Sequence, residues 1–141
     1  MADYAVLEKE NVLRLRLEDL FGKGSDPDSG PRLLVVAPGW EQQCSLQCET
    51  VLLPGSAARL LDSIQARRAV SYGLCGRDTI TLSSRTGQRL CAAVQRELVR
   101  LDGTVAERQE VVLNIEPGIG NMEALALVGA MLLLGAVPRQ R

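Results

Sequence analysis

A chain of 141 residues is long enough for one domain with a real core, and needs neither metal nor disulfide to hold it. Hydrophobic residues make up 46%, yet only one Trp, two Tyr and one Phe are present, so that core is aliphatic. The balance of 16 basic against 17 acidic side chains excludes a broad basic field for nucleic acid, and the absence of His removes the commonest general base and metal ligand.

In chain order, residues 4–22 carry Leu13, Leu17, Leu20 and Phe21 on a helical period, which predicts a helix ended by Gly22. Val12 to Leu17 also alternates as a strand would, so that reading stays open. Residues 22–31, rich in Gly, Ser, Asp and Pro, are a loop too near the start to divide two domains. Short apolar runs near 33–37, 50–53 and 69–72 suit strands buried on both faces, as in a parallel sheet. The first two end in Pro38-Gly39 and Pro54-Gly55, the third in Gly73. Between the second and third, Leu60, Leu61 and Ile64 predict a helix over 56–67, giving a βαβ unit.

Beyond residue 78 the pattern changes to alternation. Residues 78–84, 89–101 and 104–115 predict a three-stranded antiparallel meander, its last turn a two-residue Asp102-Gly103 hairpin. Pro117-Gly118 breaks it. Asn121 is placed to cap a final helix over 122–135, stopped by Gly135 and Pro138. The expected fold is thus a single α/β domain over 1–141: a Rossmann-like parallel sheet with flanking helices, then the meander, then the C-terminal helix.

The order of these pieces resembles the second half of the central domain of Mur ligases, the ATP-dependent amino-acid-adding enzymes of peptidoglycan synthesis. The resemblance rests on Val70-Ser71-Tyr72-Gly73, the Pro117-Gly118-Ile119-Gly120-Asn121 turn, Glu123-Ala124-Leu125-Ala126 and Leu134-Gly135. It covers residues 50–137, and 33–49 more weakly. It implies a nucleotide-binding α/β scaffold, but the sequence departs where the chemistry would lie. No Gly-Lys-Ser/Thr phosphate loop is present: Gly22-Lys23-Gly24-Ser25 lacks the spacing. Gly120 stands where the family's turn has His, and neither the acylated Lys nor the C-terminal amino-acid-binding domain has a counterpart. The implied reading is a scaffold without its reaction centre, so a non-enzyme needing no cofactor. A partial ligase completed by a partner subunit is the remoter alternative.

Candidate sites follow from the strand ends, because open α/β sheets bind ligands outside the carboxyl ends of their strands. Gly39, Trp40, Gly55, Ser56, Tyr72 and Gly73 belong to such ends, and Asp62 and Asp78 are the acids nearest them. Trp40 is either a core plug or a ligand contact. Gly120 and Asn121 open the last helix and could present free amides to an anion, although a simple Asn121 cap is the plainer role. Ser71, Ser83 and Ser84 lack a His, and Lys9 and Lys23 lie far off in sequence, so a nucleophile is disfavoured. Glu97, Glu107 and Glu110 interleave with Arg96, Arg100 and Arg108, which suits cross-strand ion pairs.

Cys44-x3-Cys48 is not a usual zinc spacing; with Cys75 and Cys91 it reads as structural. Met1 to Glu10 carries acids and no apolar export stretch, so the expectation is a cytoplasmic chain with reduced thiols. The apolar run Ala124 to Val137 is too short to span a membrane. Its helix is apolar nearly all round, at Leu125, Leu127, Val128, Met131, Leu132, Leu133 and Leu134, which suggests self-association through it. Two functions fit these features: an interaction or scaffold domain, and a binder of a small molecule such as a nucleotide or cell-wall precursor.

Overall fold

The computed structural model describes residues 3–135; Val137 and Pro138, expected near the end of the last helix, lie outside them. Seven strands form one mixed, mostly parallel sheet in the order β1 (Tyr4–Leu7), β2 (Leu33–Val36), β3 (Leu46–Pro54), β4 (Ile64–Gly73), β5 (Ile80–Thr86), β6 (Arg89–Val94) and β9 (Gln109–Asn114). The first five run parallel; β6 is antiparallel to β5, and β9 to β6. Two helices, α1 (Val12–Phe21) and α2 (Asn121–Leu134), pack on one face.

The alternation of side chains along a strand divides the core. Tyr4, Leu33, Val35, Leu52, Val70, Tyr72 and Ile80 meet Leu13 and Leu17 of α1 and the buried residues of α2. Ala5, Leu7, Leu34, Val36, Val51 and Leu53 face the other way, covered by Leu46, Leu60, Ile64 and the half-buried Trp40. Residues 33–36 and 51–53 are therefore apolar at every position because both faces are buried.

Three expectations are corrected. The segment 4–22 is not one helix: Tyr4–Leu7 pairs in parallel with Leu33–Val36, and the helix starts at Val12. The four residues Tyr-Ala-Val-Leu are themselves a short apolar run, and Glu8 separates the two elements by accepting the N–H groups of Leu13 (2.8 Å) and Arg14 (3.1 Å). This settles Val12–Phe21 as helical.

The helix expected over 56–67 is a 3-10 segment, Gly55–Asp62, followed at once by β4. Here pairing of Ile64, Gln65 and Ala66 with Leu46, Gln47 and Cys48 outweighs local helical periodicity.

The Asp102-Gly103 turn does not join neighbouring strands of a meander. It closes a separate two-stranded ribbon, β7 (Leu98–Val99) and β8 (Val105–Ala106), lying in sequence between β6 and β9. Arg100 N–H bonds the Thr104 carbonyl at 2.8 Å, so the loop holds three residues, with only Gly103 at positive φ (+89°). A three-residue loop of this kind needs one left-handed position, which Gly supplies. Leu101 N–H donates to the Leu133 carbonyl (3.0 Å), tying the ribbon to the end of α2.

Every residue from Ala124 to Leu133 is buried within the chain, so the apolar girth of α2 is accounted for by its own sheet, α1 and flanking loops. Gly129 makes the close approach possible: a Cβ there would lie 2.9 Å from Leu52 and 3.0 Å from Ile80. Among the described residues, no helix is long and apolar enough to cross a membrane.

Candidate functional site

Because β2, β3 and β4 are parallel and in register, they end on one edge of the sheet, at Val36, Pro54 and Gly73. The loops leaving that edge enclose two adjoining depressions that share Ser56. The larger, about 510 Å³, is lined by Gly55, Ser56, Tyr72, Gly73, Leu74, Cys75, Arg77, Asp78 and Met122. The smaller, about 190 Å³, is lined by Gly39, Trp40 and Glu41 on one side and by Pro54, Ser56 and Arg59 on the other.

Asp78 dominates the larger cleft. It is 5% exposed, and with Thr50 and Thr79 it makes up the buried polar residues among those described. Its carboxyl group is wedged between two backbones. A Cβ on Gly55 would overlap Oδ1, and one on Gly73 would lie 2.5 Å from Oδ2. Both strand-ending glycines therefore serve to admit this side chain. Oδ2 accepts the Cys75 N–H at 3.2 Å, while Asp78 N–H donates to the Cys75 carbonyl at 3.0 Å, closing the turn on itself. No donor within the described residues serves Oδ1.

The turn is held from outside through its backbone. Gln95 Nε2 donates to the carbonyls of Gly76 (3.0 Å) and Asp78 (2.7 Å), and Arg96 Nη2 to that of Arg77 (2.7 Å). These bonds leave the Arg77 side chain exposed, with no ion pair among the described residues. The site is thus preorganised by residues just past β6, while the Arg77 guanidinium and Asp78 Oδ1 take no partner among the described residues.

Tyr72 contributes rigidity rather than proton transfer. It is fully buried, and its hydroxyl donates to the Val36 carbonyl at 2.7 Å, bridging the ends of β4 and β2. Burial, reinforced by the negative charges of Glu123 and Glu8, pushes its phenol far above the ordinary tyrosine range. Trp40 packs half-buried against the second core cluster, its indole N–H donating to the Gln42 carbonyl at 2.9 Å; its remaining surface walls the smaller depression.

Of the residues singled out from the sequence, Gly55, Ser56, Tyr72 and Gly73 come together at the larger cleft, and Gly39 and Trp40 at the smaller. Gly120 and Asn121 line neither. Gly120, not Asn121, is the N-cap of α2, and the Asn121 side chain instead accepts a hydrogen bond from Arg85 Nη1 at 2.7 Å. Asp62 is corrected too: it is exposed and leads into the amino end of β4, away from the carboxyl ends of the strands.

Ser71 accepts the Thr79 N–H at 3.2 Å, a role in holding the loop, and Ser83 donates to Glu110 at 3.2 Å. The ion pairs expected among Glu97, Glu107, Glu110, Arg96, Arg100 and Arg108 do not form among the described residues. Arg100 turns to Thr104 and the Val105 carbonyl instead, because its own hairpin offers nearer acceptors.

Leu74, Arg77 and Met122 were not foreseen. For Leu74 and Arg77 the only sequence signal is the brevity of the Leu74–Thr79 connection, which forces its side chains onto the strand ends; Met122 arrives from the first turn of α2. All four cysteines are free. Burial pushes the Cys48 thiol up to about 11, whereas Cys75 sits exposed on the cleft. Among the described residues no group of three His, Cys, Asp or Glu side chains is placed to hold a metal ion. No family model, curated protein or solved structure matches this chain.

Proposed function

We propose that this chain is a non-catalytic α/β domain that binds a small molecule in the carboxyl-edge cleft. One observation carries the reading: a carboxyl group 5% exposed, with one of its oxygens lacking a donor, opens onto a cavity of about 510 Å³. That oxygen faces the cavity and is free to accept a donor from a ligand. The volume falls within the usual range for small-molecule sites, roughly 300–1,000 Å³. The non-catalytic part rests on the lining: Ser56 has neither imidazole nor Lys beside it, and Tyr72 is locked and buried.

A relationship to the Mur ligase central domain goes with this proposal. It is supported by the Tyr72-Gly73 strand end, the antiparallel strands after it, and the Pro117-Gly118 turn into a helix closed by Gly135. Four free cysteines suit a cytoplasmic setting.

Cys75 gives the test, since it lines the cleft. Thiol alkylation of the whole chain at pH 8 is followed with and without millimolar nucleotides, cell-wall precursors and amino acids, alongside thermal unfolding. A true ligand slows modification of Cys75 several-fold and raises the melting temperature. Cys48 stays slow throughout, since only about one part in a thousand of a thiol with a pKa near 11 is ionised at that pH. If no compound does either, the binding reading is wrong.

The scaffold reading keeps one observation of its own. Val12, Leu15 and Leu20 are exposed on the outer side of α1, so any self-association through a helix is better sought there than at α2. Light scattering on the wild type and a Leu15→Glu variant decides it; a monomer at high concentration in both removes that reading.

A further inference from the structure

The cleft's two charged side chains narrow the ligand class, an inference that rests on the binding reading above. Arg77 and Asp78 are consecutive, so their Cα atoms lie only about 3.8 Å apart, and both line the same cavity. Yet they form no ion pair with each other, nor with any other described residue. Gln95 and Arg96 hold the turn by its carbonyls, which keeps the two side chains in place without neutralising either. The other residues they share the cavity with include the 63%-exposed Leu74 and Met122 at the first turn of α2.

A simple cation placed on Asp78 would leave Arg77 repelling it, and a simple anion on Arg77 would face the Asp78 carboxylate. A molecule carrying both charges satisfies both groups. We propose that the cleft binds a small zwitterion, with its ammonium on Asp78 Oδ1, its carboxylate on the Arg77 guanidinium, and an aliphatic body against Leu74 and Met122. Bidentate geometry favours a carboxylate on Arg77, and the ammonium supplies the donor that Oδ1 lacks.

The test is calorimetric titration of the full chain with L-leucine, with 3-methylbutylamine, which lacks the carboxylate, and with 4-methylpentanoate, which lacks the amine. L-leucine is expected to bind about tenfold or more tighter than either fragment, as charge complementarity at two points predicts. Asp78→Asn keeps the side-chain shape and abolishes the advantage of L-leucine over 4-methylpentanoate. Arg77→Gln, at an exposed side chain with no ion pair among the described residues, abolishes its advantage over the amine.

Equal binding of L-leucine and either fragment, or unchanged selectivity in Arg77→Gln, overturns the zwitterion. If a nucleotide protects Cys75 from alkylation while L-leucine neither protects nor binds, the zwitterion fails but the cleft remains a binding site. If no compound protects Cys75 or raises the melting temperature, both fall.

Discussion

The two ends of the parallel sheet are built from similar residues and treat charge in opposite ways. At the amino end, Arg32 precedes β2 and sits beside Glu49 of β3, with Nε 3.0 Å from the carboxylate; Asp3 lies 3.8 Å away, and another guanidinium nitrogen reaches the Leu101 carbonyl. The hydrogen bond from Arg32 is the chief reason the Glu49 carboxyl is held below its usual range, and the same contact raises Arg32 further. Those groups are at least a third exposed or nearly so, and water shares the work. At the carboxyl end, Arg77 and Asp78 stay apart, and the acid is buried with one donor. Charges that satisfy each other at a surface hold a fold modestly; charges kept from each other around a cavity suggest recognition.

Substitutions at the two ends sharpen this contrast. The largest effect is expected at the glycines that admit Asp78. Gly73→Ala would press a methyl against a carboxyl group already confined by Gly55 on its other side, with an expected loss of about 2–3 kcal/mol as for other overpacked sites. Urea unfolding measures it. In an Asp78→Ala background the same substitution should cost markedly less, because the obstructing group is gone. Full additivity would show that Gly73 does not exist to accommodate Asp78.

Next in size is Tyr72→Phe, which removes the buried donor to the Val36 carbonyl and is expected to cost about 1–2 kcal/mol. The sign with pH follows from the raised phenol. Its contribution is complete below the unfolded tyrosine value of about 10 and is lost as pH rises beyond that. Tyr72→Phe should therefore flatten the alkaline arm of the stability curve; an unchanged arm would mean another group titrates there.

The smallest effect belongs to the amino end. Glu49→Gln should lower stability slightly at neutral pH, and the difference should shrink with added salt. It should also vanish as pH falls through the carboxylate range, since a depressed acid stabilises only while ionised. A large, salt-insensitive loss would erase the distinction between the two ends.

How much of this was legible in the sequence depends on whether the deciding contacts were local. Strands β2 and β3 could be read because Leu33–Val36 and Val51–Leu53 are buried on both faces and carry no polar residue. The end of α2 at Gly135 was equally local, a left-handed position at φ +89° that Gly supplies readily. Strand β1 was hidden because four residues are too few to outweigh the leucine period that follows. The start of β4 was hidden for a different reason: Ile64–Ala66 extends only because Leu46–Cys48, 18 residues earlier, is there to pair with it.

The site shows the same division. Gly55, Ser56, Tyr72 and Gly73 were found because they end strands. What Gly55 and Gly73 are for could not be found, because the reason is a carboxyl group arriving from a separate loop. Asp78 itself was visible as an acid near the edge, but its sequence neighbours Arg77 and Thr79 suggest an ordinary surface turn. Burial, supplied by the ends of β3 and β4, is what sets it apart.

The most direct test is the stability of ligand-free Asp78→Asn, measured by urea unfolding beside the wild type. A group whose free oxygen faces the cavity to serve a ligand should be dispensable to the fold. The variant, which can still accept the Cys75 N–H, is then expected to be within about 0.5 kcal/mol of the wild type. A loss of about 2 kcal/mol or more would show that Asp78 is a structural keystone of its turn, and would contradict the account.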